Sequence, residues 1–179
     1  MRTALRTAAM IDRISRFFGL LASAAVLGAC LISAAVAMAR YGLGIGSNAW
    51  LEIQWYLFGA MILLGGAVTL ARNEHVRVDL LYMLAGARLR LWLDTFGLVA
   101  FLLPGMVLMT ILSWPQFWAS FQLQEMSDSA GGLIRWPAKL LLPLGFGLLT
   151  LQGLAELVRR IAALAGVAEV NTDYVRPEQ

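Results

Sequence analysis

The sequence predicts an all-α integral membrane protein: four transmembrane helices, an interfacial amphipathic helix between spans two and three, and both termini in the cytoplasm. Three observations lead there. Hydrophobic residues make up 60% of the 179 and charged residues only 14%, against roughly 45–50% and about 25% in a soluble domain. The mean hydropathy is +0.73, so lipid must cover much of the surface that polar groups cannot. The apolar residues are gathered into four long runs, and the basic residues lie unequally on the two sides of those runs.

The runs define the elements in order. A basic N-terminus, 1–16, precedes 23 uncharged residues between Arg16 and Arg40, which at about 1.5 Å per residue cross a core of roughly 30 Å. Span one is therefore 17–39. The run exceeds the 7–15 residues of a usual signal core, which favours a retained span over cleavage at the Ala-x-Ala pairs near residue 37 or at Cys30. Small residues at Ala25, Ala29, Ser33 and Ala37 recur every fourth position and offer a packing row for close helix approach. An outer loop, 40–52, leads to span two, 53–71, bracketed by Trp50, Trp55 and Tyr56. The third uncharged run, Thr95 to Gln124, is too long for one core thickness. Span three is placed at 93–114, ending where Trp114-Pro115 disfavours continuation. After an outer loop, 115–137, span four is 138–157, whose uncharged stretch of 16 is lengthened if Lys139 and Glu156 send their stems outward to the interface. A tail, 158–179, follows.

Orientation comes from counting Lys and Arg. Eleven lie before span one, between spans two and three, or after span four, and three (Arg40, Arg135 and Lys139) lie on the other side. That bias places both termini and the 72–92 segment in the cytoplasm.

Few residues suggest chemistry. One cysteine and one histidine exclude a disulfide framework, bis-histidine haem and a cysteine–histidine zinc site. Gly42, Gly44 and Gly46 follow a span and lack the strand of a nucleotide fold. Glu74-His75 lacks the second histidine of a zinc protease helix, so no enzyme is expected, and no cofactor. Nothing suggests nucleic acid. No uncharged run carries the ionisable residue that a proton-coupled pump keeps at mid-membrane.

Two polar groups stand out as candidate contact sites. On the cytoplasmic side Arg72-Asn73-Glu74-His75-Val76-Arg77-Val78-Asp79 leads into a stretch with two apolar faces up to Trp92, the pattern of an interfacial helix with one face in lipid and one for a partner or the bundle. Glu74, His75, Arg77 and Asp79 are its candidate interface residues, and a solvated charged turn is the plainer reading. On the outer face, Glu52 precedes span two, and Glu125, Asp128 and Arg135 belong to a polar segment between two Trp-Pro pairs. That segment either meets a partner or closes the hairpin. Five of the six tryptophans lie on this side, as an aromatic belt would.

Two motifs carry a resemblance: Glu52-Ile-Gln-Trp55-Tyr56-Leu-Phe-Gly59 entering span two, and Glu74-His75-Val76-Arg77-Val78-Asp79 after it. With the span count, topology and length, they make the chain resemble the small permease (DctQ-like) subunit of tripartite ATP-independent periplasmic (TRAP) transporters. Gln54-Trp55 stands where many relatives carry a basic residue before the tyrosine. The resemblance implies a multi-pass protein of the bacterial inner membrane that works with a large permease subunit and a periplasmic solute-binding protein. It implies a scaffold in sodium-driven uptake of an organic acid, with membrane lipid as its surroundings. Two alternatives of other classes stay open, a self-sufficient small carrier or channel and a membrane anchor of an enzyme complex.

Overall fold

A computed structural model of the chain describes residues 2–73 and 86–166. Its elements are helices α1 (Arg2–Leu43), α2 (Asn48–Ala71), α3 (Ala87–Gly97), a π-helical turn (Leu98–Leu102), α4 (Leu103–Gln122) and α5 (Trp136–Leu164). Since α3, the π turn and α4 follow one another without a break, there are four long rods. Each is long and apolar enough to cross a membrane: Thr3–Leu43, Asn48–Ala71, Arg88–Gln122 and Trp136–Leu164. The four-span, all-helical fold read from the sequence is the fold observed.

Helix α5 is the common neighbour. It packs on α1, α2 and α4, while α1 and α2 also pair with each other. The core between α1, α2 and α5 is formed by Ala22, Leu64, Ala67 and Leu148, with Phe18, Ala60, Leu141 and Leu144 against it. Small residues let these rods come close, since lipid supplies no hydrophobic force between helices and contact depends on fit. A Cβ at Gly145 would lie 2.6 Å from the Leu63 Cβ and 2.8 Å from its carbonyl oxygen, so here α5 touches the backbone of α2.

The packing face of α1 has a seven-residue spacing. Ala8, Ser15, Ala22 and Ala29 are all buried, and so is Ala25, whereas Ser33 and Ala37 are exposed. An i,i+4 row turns by about 40° per step at 100° per residue, so after three steps it has left the face on which it began. A seven-residue row drifts only about 20° and stays against its neighbour.

The third rod differs from expectation at both ends. It does not end at Trp114-Pro115 but continues through Pro115 to Gln122. One proline forfeits a single backbone bond, and aromatic contacts hold the last turns: Trp114 with Phe117, Trp118 with Phe121, and Phe121 with Trp136. The π turn, which the sequence did not announce, precedes Pro104. There the Leu103 amide donates to Leu98 O, one residue further back than in an α-helix, and the widened turn accommodates a residue that has no N–H to offer. At its start, Ala87 to Trp92 is the opening of this same rod. The rest of the expected interfacial helix, with Glu74, His75, Arg77 and Asp79, lies outside the described residues.

The close approach at Gly145 yields a test. Gly145→Ala must push α5 off the Leu63 backbone and should cost about 1–3 kcal/mol, as overpacking does. Gly147→Ala, whose Cβ would meet nothing nearer than Thr110 Cγ2 at 4.0 Å, should leave thermal unfolding in detergent unchanged or slightly raised.

Candidate functional site

Polar side chains among the described residues gather at the two ends of α5, and each gathering ties other elements to it. At one end the chain between α4 and α5 forms a short hairpin rather than a free loop. Met126 and Ile134 make an antiparallel bridge, the Ser127 amide donates to Leu133 O at 2.9 Å, and the Arg135 amide donates to Glu125 O at 2.8 Å. Gly131 closes the turn at φ +70°, a left-handed conformation that glycine adopts without penalty.

Glu52, in the first turns of α2, fastens this hairpin down. One carboxylate oxygen accepts the Leu133 amide at 2.7 Å and the other accepts the Ser127 hydroxyl. Asn48 and Tyr56, one turn to either side, donate to Ala130 O and Ile134 O, both at 3.2 Å. Within the hairpin, Arg135 bridges Asp128 at 3.0 Å and Glu125 at 3.5 Å, and Lys139 from the first turn of α5 pairs with Glu125. Glu52, Glu125, Asp128 and Arg135, the four residues expected on the outer face, are thus brought into one assembly, with Asp128 on its solvent side. The hydrogen bond from Lys139, more than any other partner, holds the Glu125 carboxyl below the usual carboxylate range, and Arg135 adds a smaller attraction.

At the other end, α5 presents Gln152, Glu156, Arg159 and Arg160, which share a face at i, i+4, i+7 and i+8. Gln152 is fully buried. Its carbonyl accepts the Ser15 hydroxyl at 2.8 Å, and its amide donates to Asp12 at 3.0 Å. Arg159 spans Asp12 and Glu156, the latter at 2.5 Å, and reaches Ala8 O. Arg160 pairs with Asp94 of α3 at 2.5 Å. This cluster joins α1, α3 and α5 through ionic and amide groups that lipid could not satisfy. Sequence reading missed it. Glu156 does not send its stem outward as expected but turns inward to Arg159, because an internal cation compensates a carboxylate better than an uncertain reach to water. The findable signal was Asp12, the only acid in the first fifty-one residues, with the four polar residues on one face of α5.

Between these ends lies an apolar cleft of about 460 Å³ along α4 and α5, walled by residues including Ile111, Trp114, Pro143, Gly147 and Leu151. The hydroxyls of Thr110 and Thr150 on its wall donate to carbonyls of their own helices. It offers apolar contact and no free polar group for an organic anion. Among the described residues, no group of three His, Cys, Asp or Glu side chains is placed to hold a metal ion. Gln54, in the position noted above, is buried with its amide on Trp50 O.

A protein-family model described as "Tripartite ATP-independent periplasmic transporters, DctQ component" matches residues 29–163. Comparisons with curated proteins and with solved structures gave no significant match.

Two outcomes test the geometry. Arg159→Ala leaves Asp12 and Glu156 without their shared cation and should destabilise the bundle by about 3–5 kcal/mol, the range for breaking a buried pair; adding Asp12→Asn and Glu156→Gln should recover most of that loss in chemical unfolding. The lowered Glu125 value means the outer tie is complete at and above the ordinary glutamate range, and is lost only as pH falls through the lower folded-state value. Exchange protection of the Ser127 and Arg135 amides should therefore persist into mild acid, and Lys139→Met should move its loss to higher pH.

Proposed function

Since the chain belongs to the DctQ-component family of tripartite ATP-independent periplasmic transporters, a multi-pass membrane component of a transporter, we propose that it is the scaffold subunit of a sodium-driven uptake system for an organic acid. In this reading it sits in a bacterial inner membrane with both termini in the cytoplasm. A large permease subunit holds the substrate and sodium sites and moves its transport domain against this static support. A periplasmic solute-binding protein delivers the ligand on the outer face.

The observation that carries the reading is where the ionisable side chains lie. Among the described residues the charged ones lie toward the ends of the rods, where Asp12, Asp94, Glu156, Arg159 and Arg160 tie helices together, while the cleft at mid-length is apolar. A carrier needs groups that bind solute in one state and release it in another. Here Gln152, Glu156, Arg159 and Arg160 each have a charged or amide partner within the bundle, as a support requires. The alternatives of a self-sufficient carrier or an enzyme anchor find no comparable observation.

Two surfaces are assigned within this proposal. The tied hairpin with Glu52, Glu125, Asp128 and Arg135 faces the binding protein, and its fixed shape limits the ordering cost of docking. Glu74, His75, Arg77 and Asp79 meet the large permease at the cytoplasmic edge, and the exposed Ser33 and Ala37 leave room for one of its helices to approach closely.

Reconstitution decides the matter. Proteoliposomes containing this chain alone, with an imposed sodium gradient, should take up no organic acid, and uptake should require the large permease and binding protein encoded with it. Gradient-driven uptake by this chain alone would overturn the scaffold reading in favour of a small carrier.

A further inference from the structure

Helix α1 has 42 residues, a rod of about 63 Å against a hydrocarbon core of roughly 30 Å. Its N-terminal part therefore leaves the membrane, and the charges on that part face a particular way. Arg6, Arg13 and Arg16 are exposed and make no ion pair among the described residues. At 100° per residue they fall within an arc of about 80°, on the side away from the buried Ala8 and Ser15. Exposed Met10 and Phe17, 62% and 57% accessible, border this arc on its Arg6 side. The acid that could neutralise this face, Asp12, is turned inward onto Arg159 and Gln152. The outward face is left purely cationic.

Depth separates the three arginines. The uncharged run starts at Phe17, so along the axis Arg16 lies about 1.5 Å and Arg13 about 6 Å beyond the core, while Arg6 lies about 16 Å beyond it. The headgroup layer is about 5–7 Å thick on each side. Arg13 and Arg16 therefore stand at the level of lipid phosphates, whose geometry suits the guanidinium fork. Phe17, about 40° round the helix from Arg13, stands at the level of the first acyl carbons. Arg6 is beyond the layer by more than a Debye length of about 8 Å.

We propose that Arg13 and Arg16, with Phe17 beneath them, form a binding face for the phosphate headgroup of an anionic phospholipid. The internal pairing of Asp12 with Arg159 keeps that face cationic. The claim does not depend on the transport reading, because it concerns the surface of the subunit itself.

The test titrates the full chain, purified in detergent, with phosphatidylglycerol or phosphatidylcholine and reads bound lipid by native mass spectrometry. Phosphatidylglycerol should bind more tightly, with a preference that fades in high salt. Each arginine near an anionic surface contributes roughly fivefold, so Arg13→Gln with Arg16→Gln should weaken phosphatidylglycerol binding about twenty-five-fold. Arg6→Gln should change it less than fivefold, and inorganic phosphate should not displace the lipid. Unchanged binding by the double variant, or an equal loss from Arg6→Gln, overturns the proposal. Displacement by inorganic phosphate does so too, by marking a simple anion site. If the double variant does not fold, the unmodified chain decides: no preference for phosphatidylglycerol over phosphatidylcholine, or one insensitive to salt, refutes the site.

Discussion

A polar group that enters hydrocarbon must find its partner inside the protein, and this bundle meets that constraint almost wholly through its last helix. At one end α5 carries Lys139, which reaches Glu125 in the hairpin between α4 and α5, and at the other it carries Gln152, Glu156, Arg159 and Arg160, which engage α1 and α3. Between the two ends its surface is apolar or small, and α2 approaches to backbone contact at Gly145. The architecture follows. Two ionic ends fix the register of the rods, and a close-packed apolar middle fixes their separation. Such buried pairs contribute less to net stability than their number suggests, since desolvation offsets the attraction. Their stronger effect is to make misregistered packings costly, because each would strand a charge.

Much of this was legible in the sequence. Four uncharged runs gave four spans because lipid imposes length and composition at once, with little room for alternatives. The arrangement of the outer hairpin was not legible, although Glu52, Glu125, Asp128 and Arg135 all stood out as polar residues near tryptophans. Their convergence depends on contacts between positions about eighty residues apart, which no local pattern records. The inner cluster was hidden for a different reason. Glu156 sits at the end of a run, where a charged residue can as readily reach outward to the interface as inward to a partner, and only the placement of Asp12 decides between them. Pro115 and the π turn before Pro104 show a third limit: proline marks a disturbance of the helix, but its neighbours determine whether the helix ends, widens or continues.

These features bear on what a support subunit needs. A moving domain requires bistable elements with few internal ties, whereas here α1, α2, α3 and the outer hairpin are each bonded to α5 or to one another by side chains at defined positions. Even the segment between α4 and α5, which the sequence left either to meet a partner or to close the hairpin, is held by hydrogen bonds with four separate residues of α2 and α5. Rigidity at both surfaces is consistent with a component that positions others.

Whether the bundle is static during transport is the central claim, and a cross-link addresses it most directly. A Cβ at Gly65 would lie 3.7 Å from the Cβ of Ala22, close to the mean for a disulfide, so Ala22→Cys with Gly65→Cys in a Cys30→Ala background can lock α1 to α2. Sodium-driven uptake by the assembled three-component transporter is then measured before and after oxidation. The scaffold account predicts equal rates in the two states. Uptake that falls when the bridge forms and returns when it is reduced would contradict it.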